Sequence, residues 1–190
     1  MKRIIVLQFS NWQQHSNPIL KKLKKIILLS DTHSYIDESI LNYLSPCDEV
    51  WHGGDFGTIE IADKIKSAMK PGAVLRGVYG NIDGYDVRSI FPEKNHFICE
   101  EVKVFMQHIG GYPGRYAPGV KEEIKKNHSQ LFISGHSHIL KIIYDDKLEC
   151  LHINPGAAGK QGWHKVRTMV RFEIDKKDIK NCEVIELGAR

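Results

Sequence analysis

No run of the chain approaches the roughly 18 uninterrupted apolar residues that a membrane-spanning helix requires. The apolar stretch Ile4 to Leu7, behind Lys2 and Arg3, is too short for the core of a secretory signal. Neither a membrane role nor export is therefore expected, and the chain should stay in the cytoplasm where it is made. Cysteine is scarce: Cys47, Cys99, Cys150 and Cys182 lie far apart and form no CxxC pair. That spacing argues against a disulfide framework and reads as small buried apolar side chains or free thiols of a reducing compartment. Charge of one sign is also lacking, with 27 Lys and Arg against 23 Asp and Glu. The basic excess sits at one end, because residues 1–30 hold Lys2, Arg3, Lys21, Lys22, Lys24 and Lys25 and no acid. Beyond Ser30 the acidic residues slightly outnumber the basic ones. A nucleic-acid footprint wants cations interleaved with aromatic or polar readers across a surface, so no nucleic-acid partner is expected. There is no internal repeat at a fixed period and no low-complexity segment.

What is present fits one folded domain. With 190 residues, 42% hydrophobic and 26% charged, the chain should bury about 70% of the surface its unfolded form exposes. Residues 1–24 begin like a strand and then lose any period at Asn11, Gln13, Gln14, Ser16, Asn17 and Pro18, which reads as an appendage. From Lys25 the pattern becomes regular. KKIILLS leads into the turn DTHS, then Ile36, Ile40, Leu41 and Leu44 recur at helical spacing until Ser45 and Pro46. DEVWHGGD repeats the strand and loop, Ile59 to Met69 the helix, and AVLRGVYGN a third strand and loop. Alternation of this kind predicts a parallel core sheet. A strand VKVFMQH, a Gly-rich loop, a helix over 120–127 and a strand QLFISGHSH follow. The rest reads as strands only (LKIIYDD, LECLHIN, RTMVRFEI, NCEVIEL), predicting a second antiparallel sheet or half-sheet packed on the first.

The polar residues fall where these strands end. Asp31 with His33, Asp55, Asn81, His108, and His136 with His138 each lie just past an apolar strand, and ligands of open α/β sheets collect at the carboxyl ends of strands. Glycines stand beside three of them, at Gly53 and Gly54, Gly80 and Gly135, where the backbone can approach closely. Taken singly, DTH is a capping turn, GGD and GN are turn dipeptides, and His108 is a satisfied histidine. GHSH is harder to explain by packing, since Gly-His-x-His at a strand end puts two imidazoles on one side. Seven such groups exceed the needs of one ion, whereas two ions sharing a carboxylate take seven or eight ligand positions. Mixed oxygen and nitrogen donors without thiolate favour Mn, Fe, Zn, Ni or Co over copper(I) or an iron–sulfur cluster.

In this order the motifs Asp31-x-His33, Gly54-Asp55, Gly80-Asn81, His108 and Gly135-His136-x-His138 resemble those of the calcineurin-like metallophosphoesterases. The compact chain with Asn154-Pro155-Gly156 near its end is similar to the small bacterial and archaeal YfcE-type phosphodiesterases. The resemblance spans about Lys25 to Ile174. It implies a single-domain α/β/β/α sandwich of two mixed sheets flanked by helices, placed at residues 25–190 behind the appendage at 1–24. It further implies that Asp31, His33, Asp55 and His138 bind one divalent transition metal, while Asn81, His108 and His136 bind a second, with Asp55 bridging. Manganese is the first expectation, with nickel, zinc, iron or cobalt as alternatives. The implied reaction is hydrolysis of a small-molecule phosphoester, a diester rather than a monoester, by a metal-bridging hydroxide, with Asn81, His108 and His136 in the catalytic set.

Two departures from the family pattern stand out. Many members carry His directly after Gly-Asn to assist the leaving group; here Ile82 follows, then Asp83. Isoleucine transfers no proton, so esters with easily expelled leaving groups are expected unless Asp83 or a water serves as general acid. Ile109 stands where the family often has glycine, with Gly110 and Gly111 behind it, and the next loop, GGYPGRY, offers Arg115 as a phosphate contact or forms a plain surface turn. His52, His152 and His164 are expected to brace the ligands, and His15, His96 and His128 to lie at the surface. A non-catalytic protein-interaction scaffold on the same fold, as in the retromer subunit, is the alternative function, and a full ligand set argues against it. A nuclease would need a basic track. A metallo-β-lactamase-type hydrolase would need an Asp-His pair where Ile139-Leu140 stand. A homo-oligomer is compatible with the sequence.

Overall fold

The computed structural model describes residues 4–7 and 23–190. The surface reading of His15 and most of the appendage lie outside those residues. In chain order the elements are β1 (Ile4–Leu7), β2 (Lys24–Leu29), α1 (Glu38–Leu44), β3 (Glu49–His52), α2 (Ile59–Ala68), β4 (Val74–Gly77), α3 (Tyr85–Arg88), β5 (Lys94–Cys99) and β6 (Val102–Gln107). There follow β7 (Gly111–Tyr112), β8 (Arg115–Tyr116), α4 (Val120–Asn127), β9 (Leu131–Ile133), β10 (Leu140–Asp145), β11 (Cys150–Pro155), β12 (Val166–Asp175) and β13 (Asp178–Ala189). The first sheet has the order β1-β13-β12-β2-β3-β4, the second β10-β11-β9-β6-β5, and β7-β8 form a separate ribbon. Within the first sheet β2, β3 and β4 are parallel. In the second, β6, β9 and β11 are parallel. The remaining pairings are antiparallel, so both sheets are mixed.

The layering follows from the apolar runs. A parallel strand covered on both faces reads as an unbroken hydrophobic segment, and IILL of β2 is one. Its Ile26 and Leu28 pack between the sheets with Trp51, Met106, Ile133 and Phe172. Ile27 and Leu29 meet Ile40 and Leu44 of α1 and Ile61 and Ile65 of α2 on the outer side. On the far side Phe105 and Phe132 pack on Val120 and Ile124 of α4. The result is the expected α/β/β/α sandwich. All four cysteines are buried free thiols, and burial pushes them up to about 11 (Cys47 and Cys182) or about 12 (Cys99 and Cys150). Among the described residues no helix is long and apolar enough to cross a membrane.

Three sequence expectations are corrected. The last four strands do not make a sheet of their own: β10 and β11 join the second sheet, while β12 inserts between β2 and β13 in the first. Nearly every residue from Arg167 to Phe172 is buried or half-buried, as a central strand demands. Strand β5 was not foreseen, because Lys94, His96 and Ile98 are exposed and its edge position leaves no apolar stripe. The single turn α3 was also missed, being too short to show a period.

Candidate metal centre

Each ligand motif sits on the loop after a strand of one of the two parallel sets. Asp31 and His33 follow β2, Asp55 follows β3 and Asn81 follows β4, all in the first sheet. His108 follows β6, and His136 and His138 follow β9, both in the second. Backbone bonds gather the loops. Asp31 N–H donates to Gly54 O at 3.0 Å, His33 N–H to Asp55 O at 3.0 Å, and Gly135 N–H to His108 O at 3.0 Å. Two further bonds cross between the sheets: His108 Nδ1–H donates to Gly53 O at 2.8 Å, and the His136 amide donates to the Asp31 carboxylate at 3.1 and 3.2 Å. Asn154, from the Asn-Pro-Gly motif, steadies the second-sheet side by donating to Gly135 O at 2.7 Å.

The loops are bent unusually to do this. Asp31, His33, Asp55, His136 and His138 all adopt positive φ, between 46° and 66°. Non-glycine residues in the left-handed region cost energy and persist where the surroundings hold them, typically at functional sites.

Two clusters of ligand atoms result, Asp31 with His33 and His138, and Asp55 with His108 and His136, each with its atoms within 4.8 Å of one another. They adjoin. His138 Nε2 is 3.2 Å from Asp31 Oδ1 and 3.2 Å from His33 Nε2. His33 Nε2 is 3.6 Å from Asp55 Oδ2. His108 Nε2 lies 3.2 Å from Asp55 Oδ2 and 3.9 Å from Asp31 Oδ1. Ligands about 2.1 Å from a common ion stand roughly 3 to 4 Å apart, which is this range.

The donor set fits a cation in a second way. With Nδ1–H committed to Gly53 O, His108 turns a buried Nε2 toward the Asp55 and Asp31 carboxylates, 3.2 and 3.9 Å away. An imidazole nitrogen this close to carboxylate oxygens calls for a positive charge between them, a proton or a metal ion. The electrostatics agree. Burial works against charge on His108, but Asp55 and Asp31 outweigh it and raise its pKa. Asp31 raises His138. For His33 burial prevails over the carboxylates, and its pKa falls. Burial likewise opposes ionisation of Asp55, yet His108, the Ile82 amide and His33 hold its carboxyl below the usual range.

Asn81 is exposed, and its neighbours on both sides touch Asp55. The Ile82 amide donates to Asp55 Oδ1 at 3.1 Å. A Cβ on Gly80 would come within 2.0 Å of that same oxygen, so only glycine lets this loop close on the carboxylate. Asp83 is placed differently from expectation. It is buried, and its two oxygens accept from the Gly57 amide at 2.8 Å and the Gly80 amide at 2.7 Å. A carboxylate so occupied braces the Asn81 loop.

The three bracing histidines separate. His52 is fully buried, accepts from the Gly54 amide at Nδ1 (3.2 Å) and meets Thr32 Oγ1 at Nε2 (3.0 Å). His152 meets Ser134 Oγ at 3.0 Å, behind the β9 loop. His164 reaches the site itself, its ring edge-on to His138 with centroids 5.4 Å apart. The loop carrying it closes tightly on the ligand: a Cβ on Gly162 would fall 2.1 Å from His138 Nδ1. Arg115 belongs to the β7-β8 ribbon, and its side chain is exposed.

The comparisons with known proteins agree with this geometry. Residues 25–177 match the calcineurin-like phosphoesterase superfamily domain, and the chain belongs to that family. Similar solved structures include a Thermotoga maritima protein (24% identity, TM-score 0.63, covering 86% of this chain and 99% of that one). A Streptococcus pneumoniae protein described as a predicted phosphoesterase shares 20% identity at TM-score 0.58, over 80% of this chain and 84% of its own. Entamoeba histolytica Vps29, solved with zinc, shares 16% identity at TM-score 0.65, over 85% and 98%. At these identities the likeness is one of fold. Among curated proteins none matches the chain.

Proposed function

We propose that the protein is a two-metal-dependent phosphodiesterase, with Asp31, His33, Asp55 and His138 holding one ion and Asn81, His108 and His136 the other across a shared Asp55. The observation that carries this reading is the pair of adjoining clusters, Asp31, His33 and His138 beside Asp55, His108 and His136, with His108 Nε2 buried between two carboxylates. Divalent ions held there would supply Lewis acidity toward the phosphoryl oxygens and a water acidic enough to ionise near neutral pH. The chain's own groups set the rest. Gly53 O and the Asp31 carboxylate hold His108 and His136 in place from across the sheets. Ile82 and the occupied Asp83 leave the Asn81 loop without a proton donor, so leaving groups that depart without protonation are favoured.

Two nearby cations already committed to partners support a diester over a monoester. Arg88 donates to the carbonyls of Asp83 (2.6 Å), Asn81 (3.3 Å) and Gly80 (3.4 Å). Arg167 pairs with Asp37 at 3.0 Å. Neither is available for a second phosphate charge. The test is hydrolysis of bis-p-nitrophenyl phosphate against p-nitrophenyl phosphate by chelated protein reconstituted with Mn, Ni, Zn or Mg, beside Asp55→Asn. Diester cleavage should return with metal, manganese first, and fall at least about a hundredfold in the variant. Metal binding without turnover would instead favour the protein-interaction scaffold.

A further inference from the structure

Three of the ligand motifs are followed at once by isoleucine: Asn81-Ile82, His108-Ile109 and His138-Ile139. None of the three side chains is buried, at 45%, 45% and 61% exposure, and Trp163, between Gly162 and His164 on the shoulder of His138, is 99% exposed. Scattered apolar surface residues are ordinary, but these belong to loops that converge. The Ile82 amide is bonded to Asp55, His108 stands 3.2 Å from Asp55, and His138 stands 3.2 Å from Asp31. Four exposed apolar side chains therefore stand on the loops that carry the candidate ligands. Of the cations nearby, Arg88 and Arg167 are engaged as above, while Lys160, over the Tyr35 ring at 4.6 Å, and Arg115 of the loop after His108 are exposed.

Candidate metal-ligand chemistry with exposed apolar side chains on the same loops fits a particular ester. We infer that Ile82, Ile109, Ile139 and Trp163 form a specificity rim selecting singly charged phosphodiesters whose non-leaving ester group is aromatic or bulky and apolar. This rests on the two-metal phosphodiesterase reading and names the substrate class of that site. A nucleotide polyphosphate or a sugar phosphate would leave charges or hydroxyls facing isoleucine without partners.

The test keeps the leaving group constant. The metal-loaded enzyme is assayed on phenyl p-nitrophenyl phosphate and methyl p-nitrophenyl phosphate, alone and as Ile139→Ser and Trp163→Ser. The wild type should prefer the phenyl ester by about tenfold or more in kcat/KM, mostly through KM, and each substitution should cut that ratio severalfold. A second readout is independent of turnover: diphenyl phosphate, but not dimethyl phosphate, should quench and blue-shift Trp163 emission, and Trp163→Phe should abolish the signal. Equal kcat/KM for the two diesters, or a ratio unmoved by both substitutions, would overturn the rim while leaving the phosphodiesterase intact. Absence of hydrolysis of either diester would overturn the phosphodiesterase reading, and the Trp163 titration would still decide whether the rim binds an apolar phosphodiester. A dimer in sedimentation with Trp163 already blue-shifted without ligand would overturn the inference by assigning the rim to a second copy.

Discussion

Asp83 and Gly80 show how closely the ligand loops depend on single side chains. Asp83→Asn keeps an acceptor but loses one of two amide partners, so stability should fall by about 1 to 3 kcal/mol in urea titrations. If Asp83 is a brace, the variant should also show the same dependence of rate on leaving-group pKa as the wild type, whatever its absolute rate. A steeper dependence would return Asp83 to the role of proton donor. Gly80→Ala would drive a Cβ against Asp55 Oδ1 and the Asp55 amide, at 2.0 and 2.4 Å. Manganese affinity should drop about 10- to 100-fold by calorimetric titration, the usual cost of disturbing a group that orients a ligand. The cysteines make a contrasting case. Buried and held near 11 or 12, they should not react with a thiol reagent until the protein unfolds.

Among the elements, α1 is tied most directly to the site's flank. Its cap Asp37 accepts from the Ile40 amide at 3.1 Å and from Tyr35 Oη–H at 2.9 Å, and pairs with the buried Arg167 of β12 at 3.0 Å. Burial opposes its ionisation, but the bonds from Ser39, Tyr35 and Ile40 and the charge of Arg167 bring its pKa down to about 2. Asp37→Ala should therefore cost roughly 2 to 4 kcal/mol, more than a cap alone, because Arg167 is left buried without its partner. Asp37 binds fewer protons folded than unfolded between its ordinary value near 3.8 and about 2. Its contribution is complete above that window and lost as pH falls through it, and Asp37→Asn should remove this segment of the acid-unfolding curve.

For the whole molecule, the two sheets each bury a neutral histidine beside the centre. Burial lowers His52 of β3 to about 3 and His152 of β11 to about 4, from 6.5. Below pH 6.5 the unfolded chain takes up protons that these folded sites refuse. Stability is therefore full above that pH and declines as pH falls toward 4, by on the order of 1.4 kcal/mol per unit for each histidine. Urea titrations at pH 7 and pH 5 should show the loss, and His152→Gln should flatten the slope. The described part of the N-terminal segment also acts at this scale, since β1 pairs along the edge of β13 and covers it.

Strand ends, helix faces and the order of polar motifs were legible because they are local: the IILL run of β2, the spacing of Ile40 and Leu44, and Gly-His-x-His after β9 each carry their meaning within a few residues. The seven candidate ligand positions could be proposed for the same reason, and the clustering of six of them needs no more than strand ends meeting. The role of Asp83 was not legible, because its partners are amides at Gly57 and Gly80, one of them 26 residues away. Nor was the division of the last four strands between two sheets, which depends on which edges are left to pair. The sequence by itself determined the segments and the chemistry each strand end carries. Only the tertiary structure decided which loops meet, which carboxylate faces the site and which faces backbone, because those outcomes depend on long-range packing of two sheets that no local pattern encodes.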